Sequence, residues 1–244
     1  MKSIMALSMH KAGSTVANYI FVEFLKEKGY AVDEISKQVL GSPLPETQIY
    51  MDYQSKMSLE GTYYGMARSP GAHKMDILKD MRLILQVRDP RDCITSSYFS
   101  MAASHRLPDD PEKKKAFLEQ RSKAAETKID DYALAAVSGY VERLKILQEI
   151  VDSHGDFLLL KYEDMVEDTP KWLNDVATFV DQDITPALRE QIKRFINFNV
   201  PNEDANRHKR QVKPGDHLRK LQPDTIAAMN AKFGDLLDTF GYAA

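Results

Sequence analysis

Four apolar residues, Ile4-Met5-Ala6-Leu7, stand between Ser3 and Ser8, and the pattern of hydrophobic and polar positions then changes period. A short apolar run with small polar flanks predicts a buried parallel strand, both of whose faces are covered. From Ser14 to Lys28, Val16, Ile20 and Phe24, joined by Ala17, Phe21 and Leu25, form a broad apolar stripe, while Glu23, Lys26 and Glu27 face away. That spacing predicts an amphipathic helix, which Gly29 ends. Residues 31–35 read as a second short strand, 41–58, with prolines at 43 and 45, as loop, and 62–67 as a third strand before the Pro70-Gly71 turn. Residues 82–87 form the clearest strand, followed by a helix that Asp89 caps and Pro90 opens.

Residues 104–130 differ in character, with Pro108, Asp109, Asp110, Pro111 and the run Lys113-Lys114-Lys115. They predict an exposed loop leading into a charged helix, either a flap over a ligand or a solvated insertion. Helix continues to about Val151, Phe157-Leu158-Leu159-Leu160-Lys161 is a fifth strand, and helices follow near 169–180, 185–197 and 222–240. Strands alternating with helices predict an α/β fold with a central, mainly parallel five-stranded sheet flanked by helices. Its ligand site would lie at the carboxyl ends of the strands. No internal repeat or linker interrupts residues 1–244, which are expected to form one domain.

Composition narrows the function less than pattern does. At 244 residues, 43% hydrophobic and 28% charged, the chain suits a soluble globular protein, and its net charge of -3 gives no reason to expect nucleic acid as a partner. One cysteine, Cys93, leaves no intramolecular disulfide framework and suits a reducing compartment. No run of eighteen or so apolar residues predicts a membrane span, and the first strand leaves no room for a charged-then-apolar leader. The expected location is cytoplasmic. Association into a homo-oligomer is left open by the sequence.

The candidate chemistry lies in three basic segments. Between the first strand and helix stands His10-Lys11-Ala12-Gly13-Ser14-Thr15. Gly13 permits a tight turn, and Ser14 and Thr15 fall where a helix N-cap belongs, so backbone N–H groups, hydroxyls and the helix dipole would converge on an anion beside Lys11. The lysine precedes the only glycine, so this is not a Walker A loop. Read alone, it is equally an ordinary capped helix start. At the end of the fourth strand, Arg88 and Ser96 could hold one phosphate, or Arg88 could form a surface ion pair with Asp92. Cys93, beside them, reads as a small core residue. The third segment, Arg207 to His217, contains Arg210 and Gly215-Asp216, and is either a closing loop or a solvated one.

Taken together and in this order, the segments resemble the sulfotransferase family that uses 3′-phosphoadenosine 5′-phosphosulfate (PAPS). His10 to Thr15 looks like the family's 5′-phosphosulfate loop, commonly Lys-x-Gly-Thr-Thr, and Arg88-Asp89-Pro90-Arg91-Asp92 through Ser96 and Tyr98 is similar to its 3′-phosphate segment. Tyr162-Glu163-Asp164 looks like the family's Tyr-Glu-Asp segment, and Arg210 with Gly215-Asp216 resembles the late loop that closes on the 3′-phosphate. The resemblance covers residues 3–100 and 156–242. It departs at Val16 and His217, where many cytosolic members carry tryptophan, and at Gln211-Val212, which replaces Lys-Gly. These differences set the chain apart from the steroid and phenol branch.

The resemblance implies a P-loop-like fold and a sulfuryl transfer from PAPS to a hydroxyl or amine acceptor, with adenosine 3′,5′-bisphosphate (PAP) as product and no metal. Lys11 would meet the leaving-group oxygen, with Lys11, Ala12, Gly13, Ser14 and Thr15 around the 5′-phosphate. Arg88, Ser96, Arg210 and Gly215 would recognise the 3′-phosphate, and Tyr162 would lie near the adenine. A general base is needed for the acceptor. Some members use a glutamate at the end of the second strand, where this chain has Asp33 and Glu34, and others a histidine after the third, where it has none before His73. The acidic pair is preferred. The acceptor would be a small molecule or carbohydrate, and Tyr50, Tyr53, Tyr63, Tyr64 and Phe99 either line its pocket or belong to the core. Two alternatives stand beside this reading, an ATP-dependent small-molecule kinase with a degenerate phosphate loop and a non-catalytic nucleotide-binding protein of the same fold.

Overall fold

The computed structural model describes residues 1–40, 42–104, 110–198 and 211–243. Five strands, β1 (Ile4–Ser8), β2 (Ala31–Val32), β3 (Thr62–Ala67), β4 (Arg82–Val87) and β5 (Phe157–Lys161), pair in parallel in the order β2-β3-β1-β4-β5. The helices are α1 (Ser14–Glu27), α2 (Ser36–Leu40), α3 (Glu46–Tyr53), α4 (Pro90–Phe99), α5 (Pro111–Glu126) and α6 (Ile129–Ser153). After β5 come α7 (Tyr162–Glu167), α8 (Thr169–Val180), α9 (Pro186–Lys193), α10 (Asp216–Lys220), α11 (Pro223–Phe233) and α12 (Leu236–Thr239).

Contacts group the described residues into two compact units. The first holds 1–87 and 149–198, and therefore the whole sheet; the second holds 88–148 and the described C-terminal segment 211–243. In the first unit, β1 lies between β3 and β4, with Leu7 opposite Ala67 and Ser8 opposite Gln86. The strand order therefore reverses direction at β1. Ligand crevices form at such a switch point, outside the carboxyl ends of the strands.

The helix that leaves β1 is fixed by burial. Ala17, Ile20, Phe21, Phe24 and Leu25 of α1 are fully buried in one cluster with Ile4, Ala6, Trp172 and Val176, and Phe21 stacks on Trp172 at 5.5 Å between centroids. Each of the larger side chains among them contributes about 1.5–3 kcal/mol through burial, so the loop entering α1 stands on a rigid support. In the second unit, α4 begins as its sequence directs: the Asp89 side chain accepts from the Arg91 amide at 2.9 Å, and proline occupies the first turn.

Several boundaries differ from the sequence expectation. The second strand stops at Val32, so Asp33 and Glu34 lie beyond it. The stretch 41–58 contains the helix α3, because Pro45 is compatible with the residue preceding a helix and Ile49 and Tyr50 are buried. Helix α9 ends at Lys193 rather than 197, Gly234 at φ 52° divides α11 from α12, and α10 was not expected. The charged helix expected within 104–130 is α5.

Candidate functional site

Beyond β1 the chain takes the left-handed conformation twice, at Lys11 (φ 71°) and Gly13 (φ 72°). For glycine this is ordinary, whereas a lysine there carries strain of order 1–3 kcal/mol, and such strain concentrates at functional positions. Left-handed residues alternating with right-handed ones curl the backbone so that successive N–H groups converge on an anion. The N-cap of α1 is Gly13, with no side-chain cap, and Ser14 is already helical. The expected Ser14 or Thr15 cap is thus corrected, since the left-handed glycine makes the turn by itself. Ser14 is buried, Thr15 exposed and Lys11 partly exposed.

Two elements brace this loop from the same unit. The Gln86 side-chain amide, buried on β4, donates to the Ala12 carbonyl at 3.4 Å, while Ser8 donates to the Gln86 carbonyl at 2.7 Å. With its carbonyl held inward, the loop can present amides outward. On the other side lies Tyr162, at the start of α7 and 6% exposed: a Cβ on Gly13 would stand 2.5 Å from its ring. Tyr162 packs beneath the loop's glycine.

Glu34, in the turn after β2, is held from three directions. The Asn18 side-chain amide on α1 donates to its Oε1 at 2.7 Å, Lys37 pairs with its Oε2, and its Cγ lies 3.2 Å from where a Cβ on Gly65 (φ 76°) would be. Asn18 in turn accepts a 2.7 Å bond from the fully buried Tyr63 hydroxyl, whose pKa burial pushes well above its ordinary value, so that it remains a donor. Asp33 accepts a 2.5 Å bond from Tyr53, and this bond raises the Tyr53 pKa. Asn18 thus ties the Glu34 carboxylate to α1, the helix that leaves the 10–13 turn. His73 is buried, with Nε2 3.3 Å from the Ala67 carbonyl. Tyr50, Tyr63 and Tyr64 are buried core residues, while Tyr53 and Phe99 are partly exposed.

The second unit carries the other basic residues. Arg88 is 5% exposed and its Nη2 lies 3.3 Å from Asp92 Oδ2, so the ion pair expected at the surface as the alternative reading is instead buried. Arg91, by contrast, is consumed by structure: it grips Asp89 with Nε and Nη2, Asn230 with Nη1 and the Ala243 carbonyl with Nη2. Ser96 is partly exposed on α4, and Cys93 is a fully buried cysteine outside any disulfide. Gly215, at φ 73°, is the N-cap of α10. Arg210 lies outside the described residues.

Asp92 organises this group, a role the sequence did not suggest. Its Oδ2 accepts from the Gly215 amide at 2.8 Å and its Oδ1 from the His217 amide at 2.9 Å and His217 Nδ1 at 2.7 Å. Burial pushes the Asp92 pKa up, but the His217 bonds and the Arg88 charge outweigh it and hold the carboxyl well below the usual range. Four donors saturate a carboxylate. The partners are more than 120 residues apart, and only the Arg88–Asp92 spacing of one helical turn was visible beforehand. Asn18 gave no signal in the sequence, because its partners Glu34 and Tyr63 lie 16 and 45 residues away. Among the described residues no group of three or more His, Cys, Asp or Glu side chains could hold a metal, and no helix is long and apolar enough to cross a membrane.

Comparison with known proteins places the chain. The family model of the sulfotransferase domain matches residues 2–222. No curated protein sequence matches the chain. Mouse sulfotransferase SULT7A1, crystallised with PAP, is 16% identical, with 97% of this chain and 84% of that one covered and a TM-score of 0.64. Retinol dehydratase in complex with retinol and PAP is 16% identical over 99% of this chain and 83% of its own, with a TM-score of 0.54. Sulfotransferase STF9 from Mycobacterium avium is 12% identical over 99% and 77%, also with a TM-score of 0.54. These likenesses fix the fold, and the match over 2–222 fixes the family: the chain belongs to the sulfotransferase domain family.

Proposed function

We propose that this sulfotransferase moves a sulfuryl group from PAPS to a hydroxyl on a small-molecule acceptor by in-line displacement, with Lys11 at the leaving group and Glu34 as general base. The observation that carries the reading is the pair of left-handed residues, Lys11 and Gly13, in the loop between β1 and α1, a curl of the kind that turns backbone amides toward an anion. PAP in the structural relatives supports the choice of donor.

In the reaction the acceptor oxygen forms a bond to sulfur as the bond from sulfur to the bridging oxygen breaks, and PAP leaves with the electron pair. Charge accumulates on that oxygen, where the Lys11 ammonium and the N-terminal end of α1 stabilise it. The acceptor proton passes to the Glu34 carboxylate, which Asn18 orients through Oε1. Lys37, whose side chain is 73% exposed, can swing away from Oε2 as the acceptor arrives. Asp33 is engaged by Tyr53 and is the weaker candidate. Arg88, Ser96, Gly215 and Arg210 serve the 3′-phosphate, which distinguishes PAPS from ATP, and Ser14, Thr15 and the amides of Ala12 and Gly13 serve the 5′-phosphate. Tyr162 acts from beneath the loop, through Gly13. A cytoplasmic location suits a chain whose one cysteine is a buried thiol.

Lys11→Met tests the central role. Transfer should fall by about 10²–10³-fold, the loss typical of removing one oxyanion donor. An unchanged rate would remove Lys11 from the mechanism.

A further inference from the structure

We infer that Asp92 and His217 form a latch that positions the 3′-phosphate end of the donor site: the Asp92 carboxylate holds the Arg88 guanidinium and the Gly215–His217 turn in one fixed arrangement. The inference rests on Arg88 serving the 3′-phosphate, as proposed above.

The geometry is that of a shared acceptor. Oδ2 receives both Arg88 Nη2 at 3.3 Å and the Gly215 amide at 2.8 Å, so the arginine and the turn meet on one oxygen. Oδ1 receives the His217 amide and ring. Because the carboxylate is held ionised and accepts all of these bonds, His217 Nδ1 must carry a proton. The side chains of Asp92 and His217 are 0% and 4% exposed, so neither contact is loosened by solvent. The left-handed φ of Gly215 lets the amides of residues 215 and 217 turn to the same carboxylate.

Two consequences follow for binding. Arg88 has five N–H donors in a rigid fork, and anchoring one end at Asp92 fixes the direction in which the fork can meet an anion. A phosphate that engages Arg88 therefore meets an arginine already oriented, without the ordering cost of a long side chain. His217 supplies the ring contact that keeps the turn seated. It is a positioning residue, acting through Asp92 and not on the donor.

Calorimetric binding of PAP and of 5′-AMP, which lacks the 3′-phosphate, tests this on the full chain. Wild type should prefer PAP. His217→Ala should weaken PAP by about tenfold, the scale of one charged hydrogen bond, and leave 5′-AMP unchanged. His217→Asn should restore most of the lost PAP affinity, since its amide nitrogen can reach the place of Nδ1. Asp92→Asn should collapse the preference between the two nucleotides, and the histidine variants decide the matter if that protein does not fold. Equal losses for both nucleotides in His217→Ala, or no loss for either, would overturn the latch while leaving the donor assignment intact. Equal affinity of the wild type for PAP and 5′-AMP would instead remove the 3′-phosphate role of Arg88, and the latch with it.

Discussion

The ring of Tyr162 occupies the space into which a side chain on Gly13 would have to project: a Cβ there would lie 2.5 Å from Tyr162 Cδ2, with Met165 Cε at 2.9 Å. The first residue after β5 thereby dictates the identity of the glycine that opens α1. Gly13→Ala should destabilise the protein in urea unfolding by about 1–3 kcal/mol from overpacking, added to the strain of a left-handed alanine. Gly29→Ala is the control, because Gly29 also has a positive φ, 95°, yet nothing stands within 4 Å of its Cβ. Its cost should be strain alone. Tyr162→Ala introduced into Gly13→Ala should recover part of the loss, and a strictly additive cycle would contradict the contact.

The two carboxylates after β2 should separate cleanly in single-turnover transfer assays. Glu34→Gln should reduce the rate by about 10²–10⁴-fold, as expected for loss of a general base, while PAP affinity stays close to wild type. Asp33→Asn should retain most of the rate. If Asp33→Asn is the inactive variant, the base assignment is reversed.

Asn18 couples Glu34 to Tyr63 through two bonds of 2.7 Å. Asn18→Ala should lower the rate without the full loss seen in Glu34→Gln, because the carboxylate remains but is no longer oriented. Tyr63→Phe should show a smaller effect in the same direction. A Tyr63→Phe variant more impaired than Asn18→Ala would contradict this order of dependence.

Asp92 also makes stability depend on pH. Its folded pKa is depressed, so its contribution is complete above the ordinary carboxylate value of about 3.9 and is lost as pH falls through the lower folded value. Removing one partner of a buried pair costs about 3–5 kcal/mol. Wild type should therefore exceed Asp92→Asn by about that amount at pH 5–7 in urea unfolding. The gap should narrow below about pH 4. A gap that is constant down to pH 2 would show that charge on Asp92 is not what holds the turn.

The strands that frame the site were legible because β1 and β4 are mostly apolar runs with both faces covered and β5, at the sheet edge and partly buried, is an apolar run as well. The tight turn at Gly13 and the Asp89-Pro90 helix start were legible because their chemistry is local. What the sequence concealed was made by tertiary contact. Helix α3 looked like loop because the two prolines just before it, Pro43 and Pro45, masked the burial of Ile49 and Tyr50. The Asp92–His217 contact joins residues 125 apart, and no spacing rule reaches that far. Arg91 stands in the same segment as Arg88 without a role the sequence could assign, and its donors are committed to Asp89, Asn230 and the backbone carbonyl of Ala243.

Calorimetric titration of the wild-type protein with PAP and, separately, with ATP and Mg²⁺ tests the central claim most directly. PAP should bind with a measurable heat, and at about a hundred times its dissociation constant it should stabilise the fold by about 2.7 kcal/mol. ATP with Mg²⁺ should do neither at the same concentrations. Binding of ATP with Mg²⁺ in the absence of any binding of PAP would contradict the assignment of this loop to a sulfuryl donor.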